Sequence, residues 1–498
     1  MEGQLIRLST KTCALTLTLT GACVVVGSPA RADYTTTVNP STNWGTWQGW
    51  GCSLAWWANQ FGTNTNMADV VFTLNNPITF NSNSGSYPLP GLGLNVARYN
   101  VGGTSTSPIT VGGTTYTPNN PSSLPAFKMI QNYWLDWGSS SPTSSSWDWT
   151  RDANQRNMMQ LAKARGANIF QLFSNTPPWW MCYNSSTAGS SGGGDNLQSW
   201  NYDQFAVYMA TVAKYANDHW GVTFQSVEPF NEPIANWWKY PCNQEGCHFN
   251  VATQNAVIPY LRTELNNQGL TSMPIATSDE NTYDQELSTW NGLGSTSRSD
   301  CAQIDTHGYQ GSGGRRDLLY TAAQSAGKSL WDSEYGESDG TGMTLASNLN
   351  LDMRWLHPTV WCYWQPFDSG GWGLVQSNPG DNWYGPANPK WFVLAQYSRH
   401  IRPGMKMIDG GEGNTIASYD ATAHKLILVT TNYGTAQWIT YDLSKFTTVS
   451  GPVTRWDTNT GGGDMYVQHS DTSLSGKKFW SYFATNTVQT FEIQNVVL

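Results

Sequence analysis

The chain has 498 residues, with 26 Lys+Arg against 35 Asp+Glu and a formal net charge of −9. So few basic groups in so long a chain exclude nucleic acid and anionic membranes as expected partners. Trp 26, Tyr 23 and Gly 48, with many Asn, Ser and Thr, suit a neutral polysaccharide instead. Flat rings stack on the C–H faces of sugars while amides and hydroxyls bond sugar hydroxyls, although most single tryptophans read as core.

Residues 1–32 read as a secretory signal peptide: a mildly basic start, the apolar "CALTLTLTGACVVVG", and "PARA" before the cleavage point. The apolar run, about 15 residues diluted by threonine, is short for a membrane span. The mature chain is therefore expected to be secreted and extracellular, soluble and monomeric. Six cysteines remain beyond the signal: Cys52, Cys182, Cys242, Cys247, Cys301 and Cys362. An even number in an exported chain favours disulfides, and Cys242–Cys247 is the obvious local pair. No second Cys or His pair stands at ligand spacing, so no metal site is expected.

Residues 33–46, with the strand-like "DYTTTVNPST", are expected to join a side β-sandwich. From 47 to 400 the sequence repeats one grammar of amphipathic helix, stop, short apolar strand and polar loop. "TRDANQRNMMQLAKARG" is a helix stopped at Gly166. "ANIFQLFS" is its strand, and "NYDQFAVYMATVAKYANDHWG" is a helix with Asn201 as N-cap. Strands are predicted near 47–54, 93–99, 167–174, 223–228, 274–279, 302–307, 328–334 and 359–364. Eight such units predict an α/β fold, a closed (β/α)8 TIM barrel. No Gly-x-Gly-x-x-Gly turn supports an open dinucleotide-binding sheet. Residues 401–498 change to short β runs between Gly, Asn and Asp turns, a C-terminal β-sandwich. The glycine- and serine-rich stretch 185–195 reads as a loop beside the site.

Catalytic groups of such barrels lie at the C-terminal strand ends. Those ends carry Arg98, Asn231, Glu232, His307, Tyr309, Glu334 and Trp364. Two carboxylates facing one mouth suit glycosidic cleavage, where one acid protonates the leaving oxygen and one carboxylate attacks the anomeric carbon. "EPFNEP" presents Glu232 from a proline-stiffened bend. Glu228 precedes that bend and reads as structural. Asp332 shares a strand face with Glu334 by alternation but stops short of the strand end. Glu337 reads as solvated, and Asp279 and Glu280 as substrate contacts or ion-pair members. One of Trp179 and Trp180 is expected to touch sugar; Trp237 and Trp238 line a subsite or pack their loop, and Trp56 and Trp57 are core or subsite.

"WQGWGCSLAWWA", "NVARYNVGG", "FSNTPPWWM", "NEP", "HGY", "LWDSEYG" and "WCYW" together resemble glycoside hydrolase family 30. Within it, the chain is most similar to the endo-β-1,6-galactanases, over essentially all of residues 33–498. The resemblance implies a β-sandwich built from both chain ends and no organic or metal cofactor. It implies Glu232 as acid/base, Glu334 as nucleophile, and Asn231 on the hydroxyl beside the reacting carbon. Arg98 and Tyr309 would steady Glu334, and Trp364 would lie under the sugar. His307 and Trp179 are further candidate substrate contacts. The implied substrate is β-1,6-galactan of arabinogalactan. The alternatives are another β-glycan such as β-1,6-glucan or xylan, and a non-catalytic carbohydrate-binding protein.

Overall fold

The computed structural model describes residues 33–498; the expected signal peptide lies outside the described residues. Eight parallel strands close a barrel: β1 (Gly49–Ser53), β2 (Val96–Asn100), β3 (Ile169–Phe173), β4 (Ser226–Glu228), β5 (Ile275–Glu280), β6 (Cys301–His307), β7 (Ser329–Tyr335) and β8 (Val360–Tyr363). Each strand pairs with its sequence neighbour, and β8 returns to β1 through Val360↔Gly49 and Tyr363↔Cys52. All eight predicted strands form, each shifted by a few residues at most. Gly51 is required where β1 meets its neighbours, because a Cβ there would lie 2.6 Å from Cys362 Sγ and 2.7 Å from Val96 Cβ.

Helices cover the barrel as their periodicity predicts. Ala153–Ala164 ends just before Gly166, which takes φ +105°. Tyr202–Tyr215 starts after Asn201, but the Asn201 side chain makes no capping bond; its Nδ2 donates to Gln198 Oε1 at 2.6 Å. Among the described residues no helix is long and apolar enough to cross a membrane.

The barrel interior is polar towards the mouth. Arg98, Gln171, Ser226, Asp279 and Asp305 are buried there and bond one another instead of forming an aliphatic layer. Unpaired, such groups would cost several kcal/mol each, of order 2–7, so the network must be satisfied for the barrel to close.

The sandwich uses both chain ends. Tyr34–Thr37 pairs in parallel with Gln437–Asp442, which pairs with Lys478–Phe483. The facing sheet has six antiparallel strands, from Lys406–Asp409 at one edge to Met465–His469 at the other. Val38, Leu428, Ile439, Tyr441, Phe479 and Phe491 fill the space between them. The helix Pro389–Ser398 joins this body to the barrel, with Gln396 bonded to Thr458 and Thr490.

The expected Cys242–Cys247 bridge is not formed; all six cysteines of the described residues are free. Cys247 turns into the core, its Sγ donating to His248 O at 3.5 Å, while Cys242 stays half-exposed at the loop surface. The stretch 185–195 pairs with the loop after β4 through Ala188↔Gly246, Ser190↔Lys239 and Asp195↔His248.

Candidate active site

The mouth of the barrel holds a cleft of about 590 Å³ lined by Asn231, Glu232, Tyr309, Glu334 and Trp364 among others. Glu232 sits in the bend after β4 with φ +48°, an uncommon conformation for a residue with a Cβ. Three backbone contacts over-determine that bend. Glu232 N donates to Asp279 O at 2.7 Å, Ala235 N donates to Glu232 O at 3.0 Å, and Trp238 Nε1 donates to the same oxygen at 2.8 Å. The side chain receives Asn281 Nδ2 at 2.6 Å on Oε1 and Trp237 Nε1 at 3.2 Å on Oε2.

Glu334 reaches the mouth through an irregularity in β7. The β7–β8 register shifts between Asp332 and Tyr335, and Thr306↔Asp332 is followed by His307↔Glu334 on the other side. Simple alternation would place Asp332 and Glu334 on one face; the bulge separates them. Asp332 instead lies beside Asp352, and burial, then the charge of Asp352, holds its carboxyl well above the usual range. Glu334 accepts from Arg98 Nη1 at 3.1 Å and from the Tyr309 hydroxyl at 2.9 Å.

His307 stands between the two glutamates, Nδ1 lying 3.3 Å from Glu232 Oε1 and 3.6 Å from Glu334 Oε1. Its Nε2 lies 3.2 Å from Asp279 Oδ1. Burial alone would lower the imidazole; the charges of Glu334 and Asp279 override it and hold His307 well above its ordinary value. Burial pushes Glu334 up to about 7, His307 and Arg98 pull it down, and Glu232 adds an upward push. One ligating atom from each of Glu232, His307 and Glu334 lies within 4.8 Å of the others. The Arg98 and Tyr309 donors oppose the burial of Glu334 and favour its charged form.

Asp279, at φ +65°, anchors this arrangement. It binds Arg98 Nη2, accepts from Ser333 Oγ and faces His307. Burial would raise its carboxyl, but Arg98 and His307 bring it down to about 2. Among the described residues Glu280 makes no ion pair, and it does not line the cleft. It accepts from Thr289 Oγ1 at 2.8 Å and from Ile234 N at 3.2 Å.

Other expectations resolve as follows. Asn231 and Trp364 line the cleft, and Trp364 meets Trp56 edge to face at 5.0 Å. Trp57 is core, with Nε1 donating to Ser53 O. Trp179 does not line this cleft: the turn Trp179–Met181 after Pro178 carries it into the wall of a second cavity. Glu337 is not solvated, because Lys390, buried on the joining helix, pairs with it at 2.5 Å. Glu228 is fully buried in its strand with neither carboxylate oxygen partnered among the described residues. Asn281, Lys128, Gln365 and Trp372 are among the further residues that line the cleft without having been singled out. Asn281 and Gln365 follow strand ends, a usable signal; Lys128 and Trp372 lie in long loops that offer none.

A (β/α)8 barrel with two glutamates converging at its mouth defines a glycoside hydrolase. The model of O-Glycosyl hydrolase family 30 matches residues 33–300. The chain is 50% identical over 480 residues to an endo-beta-1,6-galactanase of Hypocrea rufa, spanning 96% of this chain and 98% of that one. The chain belongs to glycoside hydrolase family 30. The same fold occurs in a conserved exported protein from Bacteroides fragilis (TM-score 0.73, 18% identity, 92% of this chain and 100% of that one). It occurs also in the catalytic domain of the GH30 xylanase C from Talaromyces cellulolyticus (TM-score 0.67, 20% identity, 93% and 100%).

Proposed function

We propose that this glycoside hydrolase is a secreted endo-β-1,6-galactanase acting on β-1,6-galactan side chains with retention of configuration. The observation that carries the mechanism is the closeness of Glu232 and Glu334, with a carboxylate oxygen of each within 4.8 Å of the other. Retaining enzymes bring their carboxyl groups to about 5–5.5 Å, whereas inverting ones leave roughly 6.5–9.5 Å for a water. The substrate reading is supported by the 50% identity to the Hypocrea rufa endo-beta-1,6-galactanase.

In the first step Glu334 attacks the anomeric carbon while Glu232 gives its proton to the departing glycosidic oxygen. A galactosyl ester forms on Glu334 and the glycosidic bond breaks. In the second step Glu232, now a base, takes a proton from water; the water oxygen attacks the same carbon and releases Glu334. Arg98 and Tyr309 hold the Glu334 charge, and Asn231, whose Oδ1 has no partner among the described residues, bonds the neighbouring sugar hydroxyl. Trp364 lies under the sugar at the cleavage point. His307 orients both carboxylates.

The test is product analysis after incubating residues 33–498 with debranched arabinogalactan, β-1,6-glucan and glucuronoxylan in parallel. Short β-1,6-galacto-oligosaccharides from the first alone are expected. Release from another polymer keeps the mechanism and replaces the substrate; no release from any polymer overturns the enzymatic reading.

A further inference from the structure

A second cavity, about 890 Å³, opens beside the loops that follow β2 and β3. It is larger than the cleft around the glutamates and shares no lining residue with it. Among the described residues no charged side chain lines it. Its walls are tryptophan and tyrosine rings interleaved with amides and hydroxyls.

Several of those rings stand in water. Trp200 is 64% exposed, Trp137 41% and Tyr116 40%. Single exposed apolar residues are ordinary, but three large rings around one concavity mark a binding surface. Edge-to-face and tilted ring contacts hold them in place. Tyr116 meets Trp137 at 4.8 Å, Trp137 meets the buried Trp180 at 5.7 Å, and Trp200 meets Tyr183 at 5.5 Å. Rings held this way offer flat surfaces with little conformational entropy left to lose.

Polar groups for orientation are also present. Trp179 Nε1, in a side chain 1% exposed, and Gln204 Oε1 have no hydrogen-bond partner among the described residues. A buried donor left open is unfavourable, so a hydroxyl that reaches it gains a bond. Gln198 and Asn201, bonded to each other, add amide groups along the same wall.

We propose that this cavity is a second binding site for neutral polysaccharide, holding a stretch of the galactan remote from the bond being cleaved. The polymer's identity rests on the functional reading above; the site's chemistry does not. Without charge it has nothing for a phosphate, a cation or an acidic peptide, whereas stacking faces with scattered amides match uncharged sugar rings.

The test uses the full chain carrying Trp137→Ala and Trp200→Ala, singly and together. On polymeric β-1,6-galactan the double variant is expected to raise KM about 5–10-fold at unchanged kcat, from two lost stacking faces. On β-1,6-galactotriose both constants are expected to stay as in the parent. Binding is read separately as retardation of the Glu334→Gln protein in gels containing the polymer, and Trp200→Tyr should restore much of what Trp200→Ala loses. Unchanged KM and retardation overturn the proposal; so does an equal loss on the triose, which means a distorted cleft. If the parent cleaves no β-1,6-galactan, the functional reading fails by itself. Retardation is then measured in β-1,6-glucan and xylan gels. A decrease in the double variant sustains the site, and its absence removes it.

Discussion

The Tyr309 hydroxyl donates to Glu334 Oε1 at 2.9 Å while Arg98 donates to the other oxygen of the same carboxylate. These two donors oppose burial, which pushes Glu334 towards about 7. Removing one of them must favour the neutral acid, which cannot attack. Tyr309→Phe should therefore move the acid limb of kcat/KM to higher pH by about 1–2 units, the scale of one hydrogen bond to a charged group. The pH profile on a soluble substrate checks this; an unmoved limb removes Tyr309 from the assignment.

Glu334→Gln should abolish turnover while leaving the fold intact, because the amide keeps the carboxylate's shape. Its oxygen still accepts from Arg98, and its NH2 donates to the Tyr309 hydroxyl, which can rotate to accept. Turnover near the parent level would transfer the nucleophile role elsewhere.

The proposed acid can be bypassed chemically. Glu232→Gln should lose about 10²–10⁴-fold on galactan, the usual contribution of one general acid. An aryl galactoside with a good leaving group needs little protonation, so formation of its galactosyl-enzyme should be spared. Comparing the two substrates discriminates: an equal loss on both argues for a structural role.

Glu245 links the loop after β4 to the loop after β2, accepting from Thr104 Oγ1, from Ile130 N at 3.3 Å and from Asn100 Nδ2 at 3.4 Å. It is fully buried, and burial outweighs those donors to raise its carboxyl from 4.5 to about 8. The folded state thus prefers the proton more than the unfolded state does. Its contribution is complete below about pH 4.5 and is lost as pH rises towards 8. Glu245→Gln should flatten the decline of Tm between those limits. A parallel decline in variant and parent would place the pH dependence in other buried carboxyls.

Arg98 and Asp279 show where the sequence stopped speaking. Arg98 was legible as a strand-end residue facing the mouth. Its bond to Asp279 was not, because it crosses the barrel between β2 and β5. Asp279 is turned inward by a positive φ that nothing in "TSDEN" announces. The second cavity was equally hidden: Trp137 and Trp200 are 63 positions apart and meet only through folded loops.

By itself the sequence determined the eight β/α units and the β-rich C-terminal part, because hydrophobic period and glycine stops are local properties of the chain. It also marked Glu232 and Glu334, since catalytic side chains of a barrel must stand at strand ends. The tertiary structure alone decided which neighbours those side chains keep. A bulge in β7 separated Glu334 from Asp332, and core packing turned Cys247 away from Cys242. Prolines before Trp179 carried it from the cleft to the second cavity. Each of these depends on backbone irregularity or on contacts distant in sequence, and neither leaves a periodic trace in the order of residues.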